Sequence, residues 1–64
     1  MTEFEQGILY AAGLIVALHN EPVIAASVIL EAGLGNTDIS GLDDYDKRNL
    51  EKLKNGKGIN FRGA

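Results

Sequence analysis

The feature that most constrains this chain is an uninterrupted apolar stretch, Gly7–Leu18, made only of aliphatic, aromatic and glycine residues. Thr2 can cap a helix that enters this stretch, and Glu5, three residues later, completes a capping box. We predict a helix that runs to about His19. Because no position from Gly7 to Leu18 is strongly polar, this helix needs apolar neighbours on every side.

A chain of 64 residues has little material with which to surround such a helix. A domain of this size buries only about 60% of its unfolded surface, and small domains usually add a disulfide, a metal or a partner subunit. The chain has no cysteine, and one histidine cannot form a zinc site from protein ligands alone. We therefore predict a homo-oligomer, most simply a dimer, that completes the core.

Helical spacing arranges the apolar residues of the first helix in three stripes. One stripe contains Phe4, Ile8, Ala11, Ile15 and Leu18. The second stripe contains Leu9, Ala12 and Val16, and the third contains Tyr10, Leu14 and Ala17. The predicted oligomer interface consists of Leu9, Tyr10, Gly13, Leu14, Val16 and Ala17.

Two small residues of this interface, Gly13 and Ala17, lie one helical turn apart. This spacing lets a second helix approach closely. The sequence leaves two interpretations open, because the second helix can belong to the same chain or to a partner.

A second helix is predicted after Asn20, which can cap it, with Pro22 in the first turn, where proline is tolerated. Gly33 is placed to end this helix in the left-handed conformation, with Leu34 as the following apolar residue. The run Val23–Leu30 is rich in β-branched residues, so a buried strand is the alternative. We favour the helix, because a single strand would have no visible partner in this chain.

A third, amphipathic helix is predicted after Asp43, the preferred cap, with Ser40 as a possible earlier one. Its leucines share one face, and Asn55-Gly56 is predicted to end it. We therefore expect an all-α, three-helix mini-domain over residues 1–56, consisting of a helical hairpin and a third helix. Residues 57–64 form a tail that is either frayed or docked through Ile59 and Phe61.

Charge is divided sharply along the sequence. Residues 1–46 carry eight acidic side chains and no Lys or Arg, whereas residues 47–64 carry six basic side chains and one acidic one. The net charges of −8 and +5 sum to the −3 of the whole chain. A basic segment beside an acidic body is typical of a surface that contacts a nucleic acid or an acidic partner. The candidate contact face consists of Tyr45, Arg48, Lys52, Lys54 and Lys57.

A second interpretation of the basic segment is internal ion pairing. Asp43 with Lys47, and Asp44 with Arg48, are spaced four residues apart on the predicted third helix. Each such pair would stabilise the helix by about 0.2–0.5 kcal/mol. In that case some of the basic charge would serve the helix rather than a partner.

The residues that could support chemistry have simpler structural explanations. His19 suits the carbonyl end of the first helix, and no hydroxyl lies in a nucleophile elbow. Asp44 and Asp46 are spaced like calcium ligands, but Arg48 occupies the next ligand position. The glycines lack the spacing of a phosphate-binding loop. We therefore expect neither an enzyme nor a cofactor or metal site.

The start of the chain is acidic, unlike the basic start of a secretory signal. The apolar run Gly7–Leu18 is shorter than the roughly 17–25 residues that span a bilayer. These observations and the lack of cysteine lead us to expect a cytoplasmic protein without a membrane partner.

Several short segments resemble the very small open-reading-frame proteins of the exo–xis region of lambda-like bacteriophages, and together they cover nearly the whole chain. The segments are Met1-Thr2-Glu3-Phe4-Glu5, Leu9-Tyr10-Ala11-Ala12, Glu31-Ala32-Gly33-Leu34, Leu42-Asp43-Asp44-Tyr45-Asp46-Lys47 with Asn49-Leu50, and Arg62-Gly63.

This resemblance implies a non-enzymatic phage accessory factor, produced early in lytic growth, that biases the lysis–lysogeny decision and host physiology. It brings no catalytic motif. The expected partners are a second copy of the chain and a host or phage protein, and the expected location is the host cytoplasm. Binding to nucleic acid, expected to be weak or absent, is the alternative function through the basic segment.

Overall fold

The computed structural model describes residues 1–63. It contains three helices, α1 (Glu3–His19), α2 (Pro22–Glu31) and α3 (Asp44–Glu51). The only extended pairing within these residues is an isolated parallel bridge between Asp38 and Arg62. The predicted all-α, three-helix fold is confirmed, and the alternative strand in the second apolar run is wrong.

The start of α1 has the predicted capping box. The backbone N–H of Glu5 donates to Thr2 Oγ1 at 3.1 Å, and the N–H of Thr2 donates to Glu5 Oε1 at 2.8 Å. The bond from the Thr2 backbone lowers the pKa of Glu5 below its usual value. The first turn is thus fixed by residues only three positions apart.

Asn20 has a different role from the predicted one. It ends α1 in the left-handed conformation, with φ at 51°, and its N–H donates to the carbonyl of Val16 at 3.0 Å. The residue that precedes α2 is Glu21, whose side chain makes no capping bond. Because α1 and α2 are joined by only two residues, the chain must reverse at once, and asparagine tolerates the left-handed conformation.

The end of α2 follows the predicted pattern. Gly33 has φ at 75°, its N–H donates to Leu30, and the N–H of Leu34 donates to Ile29, both at 3.0 Å. These two bonds form a Schellman motif, in which the residue after glycine turns back onto the helix. Leu34 is accordingly buried in the core.

Asp43 caps α3 as predicted, since its side chain accepts from the N–H of Asp46 at 2.9 Å. The α-helix ends at Glu51, earlier than the predicted Asn55-Gly56. The chain continues in tighter turns, in which the N–H of Leu53 donates to Leu50 at 2.9 Å. These turns keep Leu53 in the core although the α-helix has already ended, so the spacing of the leucines does not mark the end of the helix.

The helix α1 is central, because α2 and α3 both pack on it and not on each other. Gly13 permits the close approach of α3: a Cβ atom added at Gly13 would lie 3.3 Å from Cβ of Asn49. The Gly13 side of α1 therefore serves packing within the chain. The core consists of Leu9, Ala12, Val16, Ala25, Ile29, Leu34, Ile39, Leu42, Leu50, Leu53 and Ile59.

The tail docks on the loop between α2 and α3. The N–H of Asn60 donates to Gly35 at 2.7 Å, and the N–H of Ile39 donates to Arg62 at 2.8 Å. Ile59 is buried and Phe61 is half-buried. The frayed alternative is wrong for residues 57–63, which extend the predicted domain beyond residue 56, and Ala64 lies outside the described residues.

Candidate binding surfaces

The predicted oligomer interface on α1 is partly wrong. Leu9, Gly13 and Val16 lie in the interior of the single chain, under α2 and α3, so a partner cannot reach them. Tyr10 and Ala17 are exposed and Leu14 is half-buried. The six residues are therefore divided between the core and the surface.

The stripe that begins at Phe4 is exposed at Phe4, Ala11 and Leu18, whereas its Ile8 and Ile15 are half-buried against the core. Phe4 is 77% exposed and Leu18 is 69% exposed. Ile8 and two exposed residues of α2, Ile24 and Val28, together line a shallow depression. We call this surface the apolar hairpin face, and it consists of Phe4, Ile8, Ala11, Ile15, Leu18, Ile24 and Val28.

This face could not be identified from the sequence. All three stripes of α1 are apolar, so hydrophobicity alone does not indicate which one the other helices cover. The one useful signal is Gly13, because a small residue allows another helix to approach closely. In the structure this position lies on the side of α1 that α3 covers.

The candidate basic face is exposed at all five of its residues. These are Tyr45, Arg48, Lys52, Lys54 and Lys57. Within residues 1–63 the one ion pair joins Lys54 to Glu51, at 3.5 Å between Nζ and Oε1. Both of these side chains are largely exposed, so the pair contributes little stability.

The predicted internal pairs, Asp43 with Lys47 and Asp44 with Arg48, do not form in the described part of the chain. Asp43 instead directs its carboxylate to the N–H of Asp46 at the start of α3. The basic face is therefore available for contacts outside the chain, and internal pairing does not explain it.

The docked tail divides the basic face between two grooves. The first, which we call the tail groove, has a volume of about 620 Å³ and lies between α3 and the tail. Arg48 and Lys54 line it, and Ile59 and Phe61 supply apolar surface. Asp44 and Glu51 also line it, so its charge is mixed.

The second groove, which we call the hairpin groove, has a volume of about 300 Å³ and lies between α2 and the turns after α3. Lys52 and Lys57 line it together with apolar residues that include Val23 and Leu30. Among residues 1–63, no acidic side chain lines it. It therefore combines apolar surface with two positive charges.

A separate, acidic depression has a volume of about 480 Å³ and is lined by Glu3, Asp43 and Asp46 together with Tyr10. Burial, and next the neighbouring Asp43, raise the pKa of Asp46 above its usual value. Asp46 Oδ1 and the nearby Asn49 Nδ2 are buried without a hydrogen-bond partner among the described residues.

Groups able to carry chemistry are not brought together in the described part of the chain. No set of three metal-binding side chains forms there, and His19 is exposed at the end of α1. The arrangement offers charge and apolar surface, which are the means of binding.

The fold and these surfaces define a small all-α chain with an apolar helical hairpin and a basic C-terminal segment, residues 47–64. Comparisons with protein-family models, with curated proteins and with solved structures found no match. Among residues 1–63, no helix is both long enough and apolar enough to cross a membrane.

Proposed function

We propose that this chain is a non-enzymatic bacteriophage accessory protein that acts in the host cytoplasm by binding a host or phage protein. Such binding would bias the choice between lysis and lysogeny. The resemblance to small proteins of the exo–xis region supports the phage setting. The single observation that supports the binding role is the hairpin groove, where Lys52 and Lys57 flank apolar surface.

A protein partner suits this groove better than a nucleic acid does. Phosphate binding requires cations but makes no use of an apolar surface. The groove has such a surface, formed by Val23, Leu30 and Leu53 beside its two lysines. An amphipathic segment with apolar anchors and acidic neighbours would match both features. The eight acidic side chains of residues 1–46 would also repel a polyanion at low ionic strength.

A lysogenisation assay tests the proposal. Cells that produce the chain are infected with a lambda-like phage, and the fraction that become lysogens is counted. We expect a several-fold change from cells with an empty vector. The double variant Lys52→Glu, Lys57→Glu should lose the effect, because both side chains are exposed and their reversal changes the groove but not the core.

The matched control is the double variant Arg48→Glu, Lys54→Glu, which has the same charge change on the other side of the basic face, in the tail groove. It should retain the effect. An unchanged lysogen fraction with the native chain would contradict the phage function, and equal losses in both variants would contradict the assignment to the hairpin groove.

The absence of the internal pairs of Lys47 and Arg48 favours a second candidate, a small nucleic-acid-binding protein that uses the basic face. A fluorescence anisotropy titration with duplex DNA at about 150 mM salt distinguishes the two. We expect no binding tighter than the non-specific range of about 10⁻⁴–10⁻⁶ M. Nanomolar, sequence-selective binding that the variant Arg48→Glu, Lys52→Glu abolishes would establish the second candidate instead.

A further inference from the structure

The hairpin groove is open in the single chain and is lined by apolar side chains that the fold leaves uncovered. The helices α2 and α3 each pack on α1 but not on each other, so a gap stays open between α2 and the turns after α3. Within its lining, Val23 is 77% exposed and Leu30 is 43% exposed. An occupant of the groove therefore gains apolar contacts that the chain itself does not make.

The charges at the groove indicate what an occupant must carry. Lys52 and Lys57 lie on the wall formed by the turns after α3, whereas the side chains that α2 contributes are uncharged. Among residues 1–63 the one ion pair joins Lys54 to Glu51, so neither groove lysine is paired with a carboxylate there. A complementary occupant covers the apolar lining and directs carboxylates to the lysine wall.

Acidic side chains outside the groove restrict where those carboxylates can lie. Glu21 precedes α2 and Glu31 ends it, and neither of them lines the groove. A segment with carboxylates on all sides would bring some of them toward these two residues, which adds like-charge repulsion. The complementary occupant is therefore amphipathic, with its carboxylates beside its apolar face.

The lining also indicates the conformation of the occupant. A β-strand partner needs an exposed sheet edge, and the one extended pairing in residues 1–63, between Asp38 and Arg62, lies outside the groove. A polyproline partner needs a groove lined by aromatic side chains, and none of the described lining residues is aromatic. A helix needs neither, because its backbone bonds are internal and its side chains make the contacts.

The length of the groove matches about two turns of a helix. The α2 residues that line it run from Pro22 to Leu30, which corresponds to about 12 Å at about 1.5 Å per residue. Apolar side chains at positions i, i+4 and i+7 of a partner helix extend over about 10 Å along its axis. Three such side chains therefore fit along the groove.

We propose that the hairpin groove binds an amphipathic helix of a partner protein, with apolar residues at i, i+4 and i+7 and with carboxylates beside them that face Lys52 and Lys57. This assignment rests on the proposed function, because it takes the same groove as the binding site. It adds the conformation and the charge pattern of the partner.

A designed peptide tests the groove without a natural partner. The probe is a fluorescein-labelled, alanine-based peptide of about 15 residues, the length at which isolated helices become populated. It has leucines at i, i+4 and i+7 and two glutamates beside them. Fluorescence anisotropy at about 150 mM salt should show saturable binding with a dissociation constant below about 1 mM.

Two control peptides test the pattern and the conformation. The first has the same composition but carries both glutamates on the face opposite the leucines. It should bind about tenfold more weakly, because its carboxylates cannot reach the lysine wall. The second has a proline at its centre and should not bind, because proline breaks the helix.

Charge reversal in the protein tests the lysine wall. The double variant Lys52→Glu, Lys57→Glu should lose the glutamate peptide and should bind a matching peptide that has lysines in place of the glutamates. The control variant Arg48→Glu, Lys54→Glu has the same charge change in the tail groove. It should bind the glutamate peptide as the native chain does.

A pair of neighbouring substitutions on α2 tests the apolar lining. Val23→Asn should weaken binding of the glutamate peptide about tenfold, as the loss of a buried apolar contact does. Its helicity by circular dichroism should not change, because Val23 is 77% exposed. Ile24→Asn is the matched control, since Ile24 is 52% exposed and lies outside the groove.

Failure of the native chain to bind the glutamate peptide up to about 1 mM, the limit of weak association, would overturn the proposal. Equal binding of the proline-containing peptide would contradict the helical conformation, and equal binding of the two glutamate arrangements would contradict the charge pattern. A peptide that binds as expected, from a chain without effect on lysogenisation, would contradict only the proposed function. A lysogenisation effect that requires Lys52 and Lys57, without peptide binding, would reject the helical partner alone.

Discussion

The two halves of this chain use their apolar residues in opposite ways. Residues 1–31 supply five of the eleven core residues but eight of the nine exposed large apolar side chains. Residues 34–63 supply the other six core residues and expose only Tyr45. The hairpin therefore has more apolar surface than the fold covers, whereas the C-terminal half has little to spare.

This difference separates the two kinds of contact that the protein offers. A contiguous apolar excess at the surface of two helices is typical of an association surface. A half whose apolar residues are nearly all buried presents charge instead, and its unpaired lysines suit a charged partner. We expect substitutions of the exposed hairpin residues to leave the stability of the fold nearly unchanged and substitutions in the C-terminal core to lower it.

The largest effect on stability should come from removing a buried side chain from the C-terminal core. Leu50 is fully buried, and Leu50→Ala should lower the free energy of unfolding by about 2–5 kcal/mol, because it leaves a cavity. Urea denaturation followed by circular dichroism measures the change.

Leu18→Ala, the same substitution on the exposed hairpin face, is the matched control for Leu50→Ala. Measured where the chain is monomeric, it should change the free energy of unfolding by no more than about 0.5 kcal/mol. Equal costs for the two variants would contradict the division between the halves.

A smaller effect should come from the contact between the loop and the tail. A Cβ atom at Gly35 would collide with the carbonyl oxygen of Gly58, so Gly35→Ala should cost about 1–3 kcal/mol. Amide hydrogen exchange should show faster exchange at Asn60 and Arg62, whose N–H groups bond to the loop.

Gly41→Ala is the matched control, because no atom lies within 4 Å of a Cβ placed there. Its stability and its exchange rates should remain those of the native chain. Unchanged exchange in Gly35→Ala would show that the tail does not depend on this close approach.

A further effect on stability should appear at Asp46. Its carboxylate is partly buried, and its Oδ1 atom has no hydrogen-bond partner among the described residues. Its pKa is raised in the folded protein, so the folded state favours the protonated form. Asp46→Asn should raise the free energy of unfolding by about 1 kcal/mol at neutral pH. This gain should shrink as the pH falls through the folded pKa, since the native carboxyl then becomes neutral as well.

The smallest effect, and the opposite pH dependence, is expected at Glu5 in the hairpin. Its folded pKa is lowered, chiefly by the bond from the Thr2 backbone, so the ionised form stabilises the fold. Glu5→Gln should be less stable than the native chain at neutral pH. The difference in stability should disappear as the pH falls through the folded pKa of Glu5. Thermal unfolding of both chains at a series of pH values measures this difference.

The sequence by itself determined the local features of this protein. The capping box of Thr2 and Glu5, the cap at Asp43 and the left-handed end at Gly33 were all predictable. Each depends on hydrogen bonds between residues at most five positions apart, so the local residue types are sufficient. The exposure of the basic face was predictable for a related reason, since charged side chains are rarely buried.

Only the tertiary structure decided which stripe of α1 is buried and where the tail lies. The buried stripe depends on the contact between Gly13 and Asn49, and the docked tail depends on bonds such as that from Asn60 to Gly35. These pairs are far apart in sequence, and three equally apolar stripes give hydrophobic patterning no basis for a choice. The split of the basic face into two grooves follows from the same docking, because the tail forms one wall of the tail groove.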